Sequence, residues 1–342
     1  MASVDVTVYG AGIFGLSVAW SCRKRGASVR VIDPNGPGAG SSGGIVGALA
    51  PHVPENWNDK KAFQLDSLLM AQDFWTEVQA AGGSDPGYAR LGRVQPVLEE
   101  AALDLAWARG QGAARLWQGQ AIWEVVRDLS GLAPHSPTGW FIRDTLTARV
   151  HPRRACAALV AALRATGVEV VPEGCAEGQV VWATGWQGLQ ALSETLGRKA
   201  GDGVKGQAIL LQHAAPQAAQ LFVDGLHIVP HADGTVAVGS TSERDFDAPD
   251  TTDGQCDALR ERAVQALPAL AEAPMIERWA GVRPRARSRA PLLGPWPGRE
   301  GHFVANGGFK IGFGMAPKVG SVMADLVLEG RTEGIPPGFG FA

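Results

Sequence analysis

Residues Val6 to Asp33 read as one complete nucleotide-binding unit, and no other stretch restricts the fold of this chain so tightly. Val6-Thr7-Val8-Tyr9 is an apolar strand that runs directly into Gly10-Ala11-Gly12-Ile13-Phe14-Gly15. The residues to Arg25 have a helical pattern, with Leu16, Ala19 and Trp20 recurring on one face, and Gly26 ends it. Val29-Arg30-Val31-Ile32 is a second strand, closed by Asp33. Each glycine has a mechanical reason. Gly10 permits the tight turn, Gly12 lets backbone approach a pyrophosphate, and Gly15 lets helix and strand pack closely. The phosphates then lie at the helix N-terminus, where free N–H groups and the helix dipole favour negative charge. Asp33 follows Gly10 by 23 residues, the separation expected of a ribose-binding carboxylate. A glycine triplet alone says little; strand, triplet, helix, strand and acid in this order specify a dinucleotide-binding start.

At 342 residues the chain is long enough for two lobes with a sizeable core. Its net charge of −3 gives no nucleic-acid footprint. Cys22, Cys156, Cys175 and Cys256 form no CxxC pair, so they read as reduced structural thiols, and no metal site is expected. The first strand starts within a few residues of Met1, which leaves no room for a signal peptide, and no apolar run reaches the length of a membrane span. A soluble, cytoplasmic protein is the expectation.

The fold class expected is α/β with an α+β substrate lobe. A Gly/Ser-rich loop from Gly36 to Gly47 precedes a helix over about 59–81, with Phe63, Leu68, Leu69, Phe74 and Val78 on its buried face. Pro152 opens an Ala-rich helix ending near Gly167, and short strands follow at Val168–Val171 and Val180–Trp182. Residues 207–238 alternate like sheet, with turn signals at Asp224-Gly225 and Asp233-Gly234. A helix around Asp257–Leu267, a Pro/Arg-rich segment, a short strand at Phe303-Val304-Ala305, a Gly-rich turn and a helix from Lys318 to Glu329 complete the chain. A Rossmann-like nucleotide domain in pieces is implied: 1–84, 147–206 and 276–342, with 85–146 and 207–275 as an antiparallel-sheet substrate domain.

With Ala183-Thr184-Gly185, Arg283-Pro284 and Gly307-Gly308-Phe309-Lys310 added to the N-terminal unit, the chain resembles the FAD-dependent D-amino-acid oxidase superfamily, and within it the glycine oxidase and sarcosine oxidase branches. Ser41-Ser42-Gly43-Gly44 through Gly47-Ala48-Leu49-Ala50-Pro51 is similar to the loop that lies against the flavin ring, and to the GALYP stretch of a tRNA-uridine-modifying oxidase domain. Gly225–Pro230 followed by Gly239–Glu243 is similar to the strands that roof the substrate, and Asn306–Pro317 to the glycine-rich return near the flavin. The cofactor positions this implies are Gly10, Gly12, Ile13, Phe14, Gly15, Asp33, Ser41, Ser42, Gly47, Ala48, Val171, Thr184, Gly185, Arg283, Gly307, Gly308, Phe309, Lys310 and Ile311.

The departures from that pattern carry expectations of their own. Sarcosine oxidases tether FAD through a cysteine where this chain has Arg283, so the FAD should be non-covalent. The substrate-contacting tyrosine of glycine oxidase falls at His227, which argues against carrying over its substrate preference. The segment between Val171 and Val180 is short, leaving the adenine end more open.

Arg283 corresponds to the carboxylate-binding arginine, whose planar fork suits a carboxylate. By sequence alone it is also the first of four alternating arginines, with Arg285, Arg287 and Arg289, which share one face if the segment is extended. Lys310 corresponds to a cation beside flavin and substrate, where it would stabilise negative charge. His227 reads equally as a substrate-orienting group and as a strand histidine. His52 and Ser242 either line the pocket or stand behind it. The resemblance implies oxidation of the C–N bond of a small amino acid or amine by hydride transfer to flavin N5, giving an imine that hydrolyses, with oxygen or another acceptor taking the electrons. A 2-hydroxy-acid dehydrogenase and a catalytically silent nucleotide-binding regulator are the alternatives.

Overall fold

A computed structural model describes residues 4–341, so the outermost limits of the expected lobes, 1 and 342, lie outside the described residues. Val6–Tyr9 is strand β1, Ile13–Lys24 is helix α1 and Val29–Ile32 is β2, parallel to β1 from Val6–Val29 to Tyr9–Ile32. Next come β3 (Ala48–Leu49), α2 (Asp59–Gly82), β4 (Arg93–Pro96), α3 (Leu103–Leu116), β5 (Trp123–Val126), β6 (Phe141–Asp144), β7 (Ala148–Arg149) and α4 (Pro152–Ala165). The second half holds β8 (Val170–Val171), β9 (Gln179–Trp182), α5 (Gly185–Leu196), β10 (Gly201–Gln212), β11 (Gln220–Val223), β12 (Leu226–Pro230) and β13 (Thr235–Gly239). It closes with α6 (Gln255–Ala266), β14 (Met275–Ala286), β15 (Leu292–Pro295), β16 (His302–Asn306) and α7 (Gly312–Glu329).

The first sheet has six strands in the order β15-β16-β9-β1-β2-β8. All are parallel except the edge strand β15, which returns antiparallel to β16. Helices α1, α2, α4 and α7 pack on one another, and their apolar stripes merge with the sheet in one core containing Leu16, Phe63, Leu159, Leu163, Val319 and Met323. A parallel sheet needs such cover because its faces are apolar. The piecewise assembly follows directly: β1 and β2 come from the start of the chain, β9 from its middle and β16 from its end.

The second sheet has eight strands in the order β14-β10-β13-β12-β11-β4-β6-β5. Its two faces do different work because side chains alternate. Val94, Ile209, Leu211, Leu221, Ile228, Val236 and Val238 pack against Cys256, Leu259 and Ala263 of α6. Ala208 and Ala237 belong to a separate apolar cluster with Ile45, which looks back toward the first sheet.

Two expectations change, and one alternative is closed. Strands β10 and β14 lie whole in the second sheet, so the boundaries expected at 206 and 276 fall within strands. Helix α7 starts at Gly312, ahead of Lys318, and carries Pro317 inside it. Glycines and a proline read locally as a turn, yet buried packing of Gly314, Met315, Ala316 and Pro317 holds them helical. The four arginines do not share a face: β14 ends at Ala286, Arg289 has φ +61°, and Arg287 and Arg289 are exposed.

Candidate active site

A cavity of about 990 Å³ runs between the two sheets. At one end Gly10 has φ +101°, and a Cβ there would stand 2.4 Å from the Ala183 carbonyl oxygen. The Ala11 N–H donates to Asp33 Oδ2 at 2.7 Å and the Ile13 N–H to Ser42 Oγ at 3.0 Å. Asp33 Oδ1 accepts from the Asn35 N–H at 3.0 Å. These bonds fix the carboxylate while leaving further lone pairs for a hydroxyl partner. Gly12 has only Ser42 near a built Cβ, its Oγ at 3.2 Å and its Cβ at 4.0 Å, so the backbone here is bare toward the cavity. Gly12, the N-cap of α1, has no side chain to cap the helix, and apart from the Ile13 N–H held by Ser42 the first turn is open to that space. The arrangement fits a pyrophosphate.

Gly15 serves the fold. A Cβ on it would stand 1.8 Å from the Gly10 carbonyl oxygen, and it does not line the cavity. Val171, Gly307 and Ile311 likewise stand behind the lining residues: the Val171 carbonyl accepts the Asp33 N–H at 3.0 Å, and the Gly307 N–H donates to Asn306 Oδ1 at 2.7 Å. The other sequence-selected cofactor positions, Phe14, Ser41, Ser42, Gly47, Ala48, Thr184, Gly185, Gly308, Phe309 and Lys310 among them, do line it. The wall from Gly44 to Ala48 is steadied from outside by His231, whose Nε2 lies 2.9 Å from the Ile45 carbonyl oxygen.

At the far end Arg283 projects from β14 across β10. It is 9% exposed, and its guanidinium donates to Ser240 Oγ at 2.7 Å and to the Thr241 carbonyl at 3.3 Å. Burial pulls its pKa down to about 10, while the charge of Glu243 acts the other way, so it remains a cation at neutral pH. Lys310 stands at the cavity wall, and partial desolvation of its ammonium, followed by the charge of Arg283, lowers its pKa. The two cations therefore feel one another. Phe309, with φ +46°, lies between Lys310 Nζ at 5.8 Å and the Arg285 guanidinium at 5.6 Å from its ring.

His227 lines the cavity, with its ring 4.6 Å from that of Phe222. Burial, then the charges of Arg93 and Lys310, push its pKa down to about 3, so the imidazole is neutral. Its Nδ1 is buried and has no hydrogen-bond partner among the described residues. Asp33, Arg283 and Lys310 are the charged residues of the lining. The acid stands at the end formed by Gly10 and Gly12 and both cations at the other.

His52 and Ser242 are not in the lining. The His52 N–H donates to Gln64 Oε1 at 2.8 Å and its Nδ1 pairs with the same oxygen, which ties it to α2. Ser242 is exposed, and Ser240 takes the place beside Arg283. Both serines belong to one Gly-Ser-Thr-Ser run, but β13 ends at Gly239, so strand alternation no longer tells which one points inward. Trp279, Phe222, Val46 and Ser240 line the cavity without having been selected from sequence. A lone aromatic on an alternating strand reads as core, and only the approach of the Gly36–Gly47 loop puts Trp279 in the wall, beside Gly44.

Among the described residues no helix is long and apolar enough to cross a membrane, and no group of three or more His, Cys, Asp or Glu side chains stands together as a metal site. The model of the DAO family, FAD dependent oxidoreductase, matches residues 5–326. Glycine oxidase of Pseudomonas putida is 30% identical over 360 aligned positions, covering 95% of this chain and 94% of the relative. The crystal structure of glycine oxidase from Geobacillus kaustophilus is similar at a TM-score of 0.84 with 21% identity, over 99% of this chain and 98% of that one. Iminodiacetate oxidase from Chelativorans sp. BNC1 is similar at 0.82 with 24% identity, over 97% of each chain. At these identities the two structures speak for the fold.

Proposed function

This chain belongs to the DAO family of FAD-dependent oxidoreductases, and from that premise we propose that it oxidises the C–N bond of a small amino acid bound through its carboxylate between Arg283 and Lys310. One observation carries the reading: the lining has two mutually repelling cations at the end away from Asp33 and no acid beside them. Holding such a pair unpaired is costly, and an anion between them removes the cost. The relatives named glycine oxidase and iminodiacetate oxidase support an amino acid or amine as the substrate class.

The bare Gly12 backbone and the uncapped start of α1 fit the FAD pyrophosphate, Asp33 fits a ribose, and Gly44–Ala48 with Gly308–Lys310 would hold the ring end. When bound, FAD supplies the acceptor for a hydride leaving the substrate α-carbon. None of the four cysteines lines the cavity, which supports a non-covalent cofactor. Arg283 and Lys310 fix the carboxylate, and neutral His227 beside Phe222 shapes the space for the rest of the substrate. The amine binds as its free base, so the chain needs no dedicated general base, and the imine product hydrolyses in water. Oxygen or another acceptor then takes the electrons.

The test is anaerobic. The purified holoenzyme is mixed with amino acids, amines without a carboxylate and 2-hydroxy acids, and the flavin absorbance is followed. Bleaching by amino acids is expected; bleaching by hydroxy acids alone, or by nothing, overturns the reading. Flavin that stays with acid-precipitated protein would overturn non-covalent binding.

A further inference from the structure

We propose that Thr241 and Glu243 form a positioning relay that aims Arg283 into the cavity and so sets the preference for carboxylate ligands. The proposal rests on the role given to Arg283 above. The guanidinium has two hydrogen-bond partners, Ser240 Oγ and the Thr241 carbonyl, and both belong to the short segment that follows β13. Wherever that segment sits, the guanidinium follows.

The segment lies beyond the end of β13 and is held by the relay. The Thr241 hydroxyl works in both directions: it donates to Glu243 Oε1 at 2.6 Å and accepts the Gln207 N–H at 2.7 Å. The Thr241 N–H donates back to the Gln207 carbonyl at 3.1 Å. Glu243 is clamped in turn. Gln207 Nε2 reaches its two oxygens at 3.3 and 3.4 Å, Lys205 Nζ stands 3.8 Å away, and Lys205 and Glu243 exchange both backbone bonds at 2.9 Å. Lys205 and Gln207 are buried, and Gln207 Oε1 also accepts the Asp253 N–H at 2.9 Å, so the clamp is anchored to the segment leading into α6.

The placement of charge gives the relay its purpose. Arg283 lies over Gly206, on the Ala208 side of β10 that faces the cavity. Lys205 and Gln207 alternate to the opposite side, where Gln207 meets Cys256 of α6, and they draw the Glu243 carboxylate with them. Glu243 thus stabilises the Arg283 cation from behind. Among the described residues no carboxylate comes within 4 Å of Arg283. A direct ion pair would occupy the fork that a ligand carboxylate needs. Held by Thr241, Gln207 and Lys205, Glu243 supports the charge without competing for it.

The experiment titrates holoenzyme with acetate, read from the flavin absorbance, alongside kcat and KM for an amino acid that bleaches it. Thr241→Val should weaken acetate and raise KM about tenfold, as loss of a buried hydrogen bond implies, with kcat changed far less. Thr241→Ser, which keeps both hydroxyl bonds, should restore them. Should Thr241→Val fail to fold, Glu243→Asp, which draws the carboxylate back from that hydroxyl, must weaken acetate in its place. Wild-type acetate affinity in the folded Val or Asp variant, or no rescue by serine, overturns the relay. Acetate that binds and responds to these changes in a protein that oxidises no amino acid overturns only the proposed reaction. A wild-type protein blind to acetate overturns both.

Discussion

The guanidinium of Arg283 occupies the space that a side chain at Gly206 would need: a Cβ built there would stand 2.0 Å from both Nη1 and Nη2. Gly206 is opposite Gly281 on the neighbouring strand and is not in a left-handed conformation, so alanine is compatible with its backbone. The glycine is required by a neighbour. Gly206→Ala should fold, bind FAD and displace the guanidinium, weakening carboxylate substrates by about tenfold, or ~1.4 kcal/mol. Steady-state kinetics with flavin content as a control decides it; an unchanged KM would show that Arg283 has room to spare.

Arg283→Ala removes the fork altogether. A buried charge-assisted pair lost on truncation costs about 2–5 kcal/mol, so amino acids should lose roughly two to three orders of magnitude in kcat/KM. Amines without a carboxylate should be nearly unaffected. Equal losses for both classes would make Arg283 a structural residue.

Substitutions at two glycines of the N-terminal turn should separate cofactor binding from folding. At Gly12 a side chain meets little beyond Ser42, so Gly12→Val should give folded, colourless protein. At Gly15 a Cβ would overlap the Gly10 carbonyl at 1.8 Å, so Gly15→Ala should lower Tm and soluble yield. Circular dichroism and the flavin spectrum read the two outcomes. A yellow Gly12→Val protein would remove the pyrophosphate from this turn.

His227, with its buried Nδ1, and the buried His231 make acid sensitivity directional. His227 is pushed down to about 3 and His231 to about 4, both chiefly by burial, whereas an unfolded histidine titrates near about 6.5. Below about 6.5 the unfolded chain binds protons that the folded chain refuses, so stability declines as pH falls from there toward the folded values, and these groups contribute no slope above it. His227→Gln should reduce the fall in Tm between about pH 7 and about pH 5. An identical fall in the variant would mean that His227 accepts a proton in the folded protein.

Because His227 stays neutral, it should position substrate without exchanging a proton. His227→Ala is expected to raise KM more than it lowers kcat. A large drop in kcat at constant KM would restore an acid/base role.

Legible in the sequence alone were the N-terminal unit, the helices α1, α2, α4 and α6, and the Gly10–Asp33 end of the cavity. The reason is that those features are local. Strand, glycine turn, helix and acid lie within one short stretch; Gly10 and Gly12 act through backbone geometry that neighbouring residues dictate, and the Asp33 carboxylate is held by backbone N–H groups of the same stretch. Helical spacing identified Phe63, Leu68, Phe74 and Val78 as buried for the same reason.

Tertiary structure decided how the Arg283 end of the cavity is assembled. Arg283, Gly206, Ser240, Trp279 and His227 come from three strands and the segment that follows β13, and nothing in the local pattern of any one of them reveals its neighbours. The sheet register that sets Val204 opposite Arg283 carries the guanidinium over Gly206, and the end of β13 at Gly239 turns Ser240 inward while Ser242 faces out. His52 was drawn away by Gln64 of α2, a contact made only when that helix packs against the loop. Long-range pairing fixed these positions, and alternation within a single strand carries no information about which strand lies beside it.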